Sequence, residues 1–227
     1  MSILAKPAAV VFEWDYDDAE LLADRVVHAV GVFLGLLGTG ALVLICLPRA
    51  AGTLMHFSAL IYSGALMATL FASSAYNIWP LSRTKWVLRR LDHSTIYLLI
   101  AATYTPFLTR IQGHLPGLLY VIWAVAIIGM VLKLLLPGRL ERFAIALYLV
   151  LGWSGILVFN ELAAVLPASV LWLIAIGGLL FSGGVVVHLL NRLRFHTALW
   201  HVFVLAAMGC HYAAVVECVL LGAPRMP

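Results

Sequence analysis

The chain has 227 residues, 64% of them hydrophobic and only 11% charged, with a formal net charge of +4 and a mean hydropathy of +1.05. A soluble domain of this size cannot hide that much apolar surface, so the bilayer is its solvent, and disorder and nucleic-acid binding are excluded as readings. The excess of Lys and Arg then reports membrane topology rather than an anionic partner.

In chain order, the first 24 residues carry Glu13, Asp15, Asp17, Asp18 and Glu20. That charge is the wrong sign for the basic end of a signal peptide, so an uncleaved cytoplasmic or interfacial segment is expected over 1–24. Residues 16–24 are expected as a short interfacial helix capped by Asp17, continuous with the first span or hinged to it. Seven apolar runs follow, at 26–47, 54–76, 91–110, 115–136, 142–160, 165–189 and 197–221. Each is close to the length of about 20 residues that a hydrocarbon core requires, and lipid leaves backbone groups no partner outside a helix. The fold class is therefore an all-α membrane protein. A single seven-helix transmembrane domain occupies 25–221, with a short tail at 222–227.

The breaks are short: Pro48-Arg49, Pro80 through Arg90, Gln112-Gly113, Pro137-Gly138-Arg139, Glu161 and Asn191 through Phe195. Consecutive helices should be antiparallel neighbours. Pro106 should kink or end the third helix. Gly31-x-x-x-Gly35 reads as a close-contact face on the first helix, as do Gly177, Gly178, Gly183 and Gly184 on the sixth. Cys46, Cys210 and Cys218 lie in apolar runs at no ligand-like spacing and read as packing residues. One side of the membrane receives Lys6, Arg25, Arg83, Lys85, Arg89, Arg90, Lys133, Arg139, Arg142, Arg192 and Arg194; the other receives Arg49, Arg110 and Arg225. The positive-inside rule places the N-terminus in the cytoplasm and the C-terminus outside a plasma membrane.

The same topology sends the embedded polar residues to one leaflet. His28 opens the first helix, Ser73 and Asn77 close the second, and Asp92 and His93 open the third. His188 ends the sixth; His196, Thr197 and His201 begin the seventh. Spacing refines this picture. Asp24 and His28 are i, i+4 on one face, Thr69, Ser73 and Asn77 form a stripe, and Thr197, His201, Met208 and Tyr212 lie near one line. Asp92 carries the greatest cost, because an unpaired carboxylate in a span costs about 2.5–3.5 kcal/mol on the lenient insertion scale. Asp92 and His201 are therefore the candidate acid–base pair. Asp24, His28, Ser73, Asn77, His93, Thr197 and Tyr212 are candidates to line a polar cavity around it. A bland explanation competes: a lone histidine at a helix end is more often interfacial than ligating, which applies to His56, His93, His114, His188 and His196. Ser and Thr in membrane helices commonly bond their own i−4 carbonyl.

Three segments carry a family resemblance: LRRLDHSTIYLLIAATYTPF at 88–107, Ser-Ser-Ala-Tyr-Asn at 73–77, and LWHVFVLAAMGCHYAAV at 199–215. With the seven runs, they make the chain resemble the hemolysin III proteins from about Asp24 to Val216. These are the bacterial branch of the progestin and adipoQ receptor superfamily, which includes the adiponectin receptors. The resemblance implies an inner-leaflet zinc site. One histidine comes from Ser-x-x-x-His on the second helix and two from His-x-x-x-His on the seventh, while a third-helix aspartate orients the zinc-bound water. Relatives bearing all of these are compared with ceramidase-like membrane hydrolases.

Here Ser73, Asp92 and His201 match, but Asn77 and Thr197 stand where two metal histidines belong. A neutral amide oxygen and a hydroxyl are poor zinc ligands. His196 lies i−5 from His201, about 140° around the helix, and does not substitute. The expectation is a degenerate site without a metal cofactor; if zinc does bind, the donors are His201, Asp92 and His28. Three functions compete on this basis. The first is a metal-free bundle that binds a lipid or small-molecule ligand or conducts in a channel-like way, as the cytolytic family name suggests. The second is a membrane hydrolase of amide lipids using Asp92 and His201 with an atypical metal site. The third is a structural or regulatory membrane protein. Membrane lipids are partners under each.

Overall fold

The computed structural model describes residues 17–50, 52–111, 117–135, 141–190 and 192–221. The acidic segment up to residue 16, the breaks at 112–116 and 136–140, and the tail at 222–227 lie outside the described residues, as do His114 and Arg225. Every regular element among the described residues is helical. The helices are α1 (Asp18–Ala41), α2 (Thr53–Ile78), α3 (Arg83–Leu108), α4 (Gly117–Leu135), α5 (Glu141–Trp153), α6 (Phe159–Val165), α7 (Ala168–Leu189) and α8 (His196–Leu220). Six helical stretches among the described residues are long and apolar enough to cross a membrane: Asp18–Arg49, Thr53–Ile78, Gly117–Leu135, Phe143–Val165, Ala168–Leu189 and His196–Leu220. The remaining long helix, α3, has 26 residues, but its first half carries Arg83, Lys85, Arg89, Arg90 and Asp92.

Local chemistry explains the ends. Asp17 accepts from the Glu20 amide at 2.8 Å while Glu20 accepts from the Asp17 amide at 3.0 Å, a reciprocal cap that starts α1. Residues 18–24 of the expected interfacial helix are thus the first turns of α1 itself, continuous with the span. At the other end, Pro48 withholds an N–H, and α1 runs out through a π turn (Leu42–Cys46) and a 3-10 turn (Leu47–Arg49). Along α1, Asp24, His28, Gly31 and Gly35 form the buried face, while Leu22, Val26, Phe33 and Leu37 on other faces are exposed to lipid. The glycines are contact points: Gly31 sits under Leu205 of α8, and Gly35 under Leu70 of α2.

Helix α3 starts eight residues before the expected 91. Its charged first turns read as a loop in the sequence, yet Ser82 caps them, accepting from the Lys85 amide at 3.3 Å. The buried Lys85 ammonium donates to the carbonyls of Tyr76 (2.7 Å) and Trp79 (2.8 Å), closing the C-terminal end of α2. Pro106 falls in the last turn, and α3 ends at Leu108. Arg110 then donates to the carbonyls of Cys218 and Leu221, capping α8.

The span expected at 142–160 is interrupted. Residues Ser154–Val158 tighten into a 3-10 segment between α5 and α6. The backbone groups freed there find a side chain: the Tyr104 hydroxyl donates to the Gly152 carbonyl and accepts from the Gly155 amide at 2.9 Å. Broken helices persist in lipid only when such groups are satisfied again.

Helices α1, α2, α3, α5, α7 and α8 form a ring, each touching the next, with α8 closing against α1; α4 packs against α3. Gly129 of α4 lies against the Tyr97 ring, and Gly177 and Gly184 of α7 lie against His211, Phe203 and Trp200 of α8. Cys46 and Cys218 are buried and all three cysteines are free thiols, as their apolar setting suggested.

Candidate functional site

The ring encloses a cavity of about 220 Å³. Helix α1 lends it His28, α2 lends Thr69 and Ser73, α3 lends Asp92 and His93, α7 lends His188, and α8 lends His201 and His211. The rest of its wall is mostly apolar, including Leu99, Ile100, Phe181, Leu205 and Met208. A second cavity of about 150 Å³ shares Leu99, Ile100, Trp153, Phe181, Met208 and His211 with the first and continues toward Tyr62, Tyr104 and Phe107. The carboxylate and most of the imidazoles thus line the first cavity, and His211 lies where the two cavities share residues.

Asp24, His28 and His201 form one group. His201 Nδ1 lies 2.5 Å from Asp24 Oδ1, and His28 Nε2 lies 3.5 Å from Asp24 Oδ2. The two imidazole rings are 4.3 Å apart between centroids, tilted by 60°. Asp24 and His28 are 8% and 7% exposed, so the carboxylate has almost no water. Their i, i+4 spacing stacks them on the α1 face that meets α8. With Asp24 as its partner, His201 presents Nδ1–H to the carboxylate and keeps Nε2 as the acceptor nitrogen. His28 Nε2 is buried and has no hydrogen bond.

Asp92 is 9% exposed and lines the cavity with Ser73, His93 and His201. Around it, Thr69 bonds the carbonyls of Ala65 and Thr95, and Thr95 bonds the carbonyl of Asp92. His93 lines the cavity, its ring edge-on to Tyr76 and its carbonyl accepting from Tyr148.

Asn77 and Thr197 lie elsewhere. With Glu20, Leu21, Asp24 and Phe195 they line a separate pocket of about 30 Å³, and Asp24 of this pocket contacts His201 of the main cavity. Asn77 donates to the Ser73 carbonyl at 2.9 Å, and Thr197 Oγ1 is 3.4 Å from His196 Nε2. Two contacts bridge the termini of α1 and α8 beside this pocket: Arg194 pairs with Asp17 at 2.9 Å, and the Phe195 amide donates to Glu20 at 2.7 Å. The Glu20 amide above all, aided by Arg194, holds the Asp17 carboxyl below the usual carboxylate range. Tyr212 stands apart from both, its hydroxyl bonding the Gly38 carbonyl at 2.7 Å.

Sequence reasoning placed Asp24 with His28 and grouped His28 with His201, but gave Asp24 no partner on α8. The stripe Asp24, His28, Gly31, Gly35 was the available signal, since small residues mark a helix contact and polar ones beside them share it. It missed the roles of Tyr104, Glu20 and Lys85 entirely.

The zinc implied by the sequence resemblance can be tested against these donors. The motif positions Asn77, Thr197 and His201 offer one nitrogen, and they open on different chambers; that set does not fit zinc. Asp24, His28 and His201 do fit by donor type: two nitrogens and one carboxylate oxygen, all within 4.8 Å of one another. The carboxylate grouped with the two imidazoles by distance is that of Asp24; Asp92, the carboxylate offered by the sequence, is not in this group.

Residues 22–212 match the profile of the family described as "Haemolysin-III related". The chain is 35% identical to the "Hemolysin-3 homolog" of Bacillus subtilis (strain 168), over 92% of this chain and 96% of that protein. It is 32% identical to "Hemolysin-3" of Bacillus cereus, over 88% and 92%. Similarity extends to the human "Monocyte to macrophage differentiation factor", 31% identical over 70% of this chain and 68% of that protein.

Proposed function

The chain belongs to the haemolysin-III-related family of multi-pass membrane proteins, within the progestin and adipoQ receptor superfamily, and on that premise we propose that it binds an amphiphilic lipid or lipid-like small molecule inside its helix ring. The observation that carries this reading is the lining of the cavity. Its apolar wall of Leu99, Ile100, Phe181 and Met208 is joined by a polar group of Asp92, Ser73 and His201. A head group with donors meets Asp92, while a chain occupies the apolar length and extends past His211 into the second cavity. In this reading α3 is a seventh span, with the N-terminus in the cytoplasm, the C-terminus outside and the cavity's polar group in the inner leaflet of the plasma membrane; the distribution of Lys and Arg supports it.

The test is binding of a fluorescent fatty acyl or ceramide analogue to the detergent-purified protein. A hydrogen bond to a charged group contributes about 1.5–3 kcal/mol, so Asp92→Asn should weaken binding by about 10-fold to 150-fold. Equal affinity in Asp92→Asn and in the cavity-filling Ala175→Phe would refute the reading.

A second reading, hydrolysis of an amide lipid, is supported by the Asp24–His201 contact. A carboxylate that orients one ring nitrogen leaves the other to act as a general base, with Asp92 across the cavity as acid or base partner. Zinc at this site would supply Lewis acidity to a bound carbonyl. Amide-lipid turnover abolished by both His201→Gln and Asp92→Asn is the expected signature. Conduction through the ring, the other form of the metal-free reading, is read as current across a reconstituted bilayer.

A further inference from the structure

We propose that Asp24, His28 and His201 form a divalent transition-metal site of zinc type, a carboxylate and two imidazoles bridging α1 and α8. The proposal rests on their geometry and stands whether or not the cavity takes a lipid.

Three observations support it. The first is spacing. Asp24-x-x-x-His28 is i, i+4, which points two ligands from one helix face at a common point, and α8 supplies the third across the interface. The second is distance. Zinc bonds of about 2.0–2.2 Å at a tetrahedral angle set donors about 3.3–3.5 Å apart. His28 Nε2 and Asp24 Oδ2 are already 3.5 Å apart. His201 Nδ1 and Asp24 Oδ1, at 2.5 Å, share a hydrogen bond; ligation through Nδ1 would use the other neutral tautomer, with the ring proton on Nε2, and would open the pair by about 0.8 Å. The third is the unmet demand of the groups. His28 Nε2 is a buried ring nitrogen with no hydrogen bond, facing the carboxylate. Asp24 is itself buried and contacts both imidazoles. A dication satisfies the orphan nitrogen and the carboxylate together, where a neutral hydrogen-bonded triad satisfies neither in full.

The set leaves a fourth coordination position, as catalytic zinc sites with three protein ligands do. His28 and His201 both line the 220 Å³ cavity, as do Asp92 and Ser73. Asn77 and Thr197 contribute no ligand; they line the small pocket with Asp24.

The full-length protein, with any affinity tag removed, is stripped with chelator in mild detergent and titrated with cobalt(II) and with zinc. One metal per chain is expected by mass spectrometry, with the ligand-field bands of four-coordinate cobalt. Asp24→Asn and His28→Gln should each weaken binding by at least about 100-fold, the upper end of what even an outer-shell partner contributes. Asn77→Ala and Thr197→Ala should bind as the parent does. His28→Cys keeps a donor and should add a thiolate-to-cobalt charge-transfer band, which reads ligation directly even if the weaker variants fold poorly. The proposal is overturned if the parent protein binds no stoichiometric metal. It is equally overturned if metal persists in both Asp24→Asn and His28→Gln, if Asn77→Ala abolishes it, or if His28→Cys adds no such band.

Discussion

Gly177 of α7 leaves almost no room for a side chain. A methyl group there would enter the ring of His211, overlapping both Cδ2 and Nε2. That ring cannot swing aside freely: Nε2 lies 3.3 Å from the Ile174 carbonyl, and Phe181 packs at 5.7 Å between centroids. Gly177→Ala therefore forces either the α7–α8 interface apart or His211 into the cavity. Overpacking of this kind costs about 1–3 kcal/mol. Losing the hydrogen bond to Ile174 adds about 0.6 kcal/mol, the average for buried pairs in membrane bundles. Gly209 on the neighbouring helix makes the control, because a Cβ there meets nothing within 4 Å. Gly209→Ala should stabilise by about 0.5–1 kcal/mol through helix propensity alone. The two alanines should thus differ by about 2–4 kcal/mol, or about 4–16 °C in melting temperature at about 2–4 °C per kcal/mol. A thiol-reactive dye reads unfolding without a label, since Cys46 and Cys218 are 8% and 0% exposed. A double-mutant cycle with His211→Ala should show coupling of more than about 1 kcal/mol. Equal melting of Gly177→Ala and Gly209→Ala would refute the packing account.

Three further outcomes follow from the same contacts. Tyr104→Phe leaves the Gly152 carbonyl and Gly155 amide without their partner at the broken span and should cost about 1–3 kcal/mol in the dye-based melt; no loss would mean the break needs no external hydrogen bond. Lys85→Met keeps the apolar stem but removes two bonds from a charged donor to the end of α2, so a loss of about 1.5–3 kcal/mol is expected, with Lys85→Arg falling between the two. A reporter active only outside the cytoplasm, fused after Pro227, should be active, and a cytoplasmic signal would invert the orientation read from the Lys and Arg distribution.

The site was half legible beforehand. Asp92 and His201 stood out because charge and imidazole are rare in apolar runs, and their helix-end positions set their depth. Asp24 and His28 shared a face by spacing alone. What could not be read was that Asp24 itself contacts His201, 177 positions away, and that Asp24, Asn77 and Thr197 line a small pocket distinct from the main cavity. The motif comparison accordingly emphasised two positions that do not line the cavity and undervalued the carboxylate that touches His201.

The sequence by itself determined that this is a helical membrane protein, roughly where its helices run, and which leaflet-level band its polar residues occupy. Those properties follow from hydropathy and backbone satisfaction, which act along the chain. Only the tertiary structure decided which helices are neighbours. Lipid tails are as apolar as leucine, so a spanning helix needs no amphipathic stripe to show its inner face, and association rests on close packing and a few hydrogen bonds. Gly31 under Leu205, Gly177 under His211 and the Tyr104 hydroxyl at the broken span are such contacts, and they bring Asp24, His28 and His201 together.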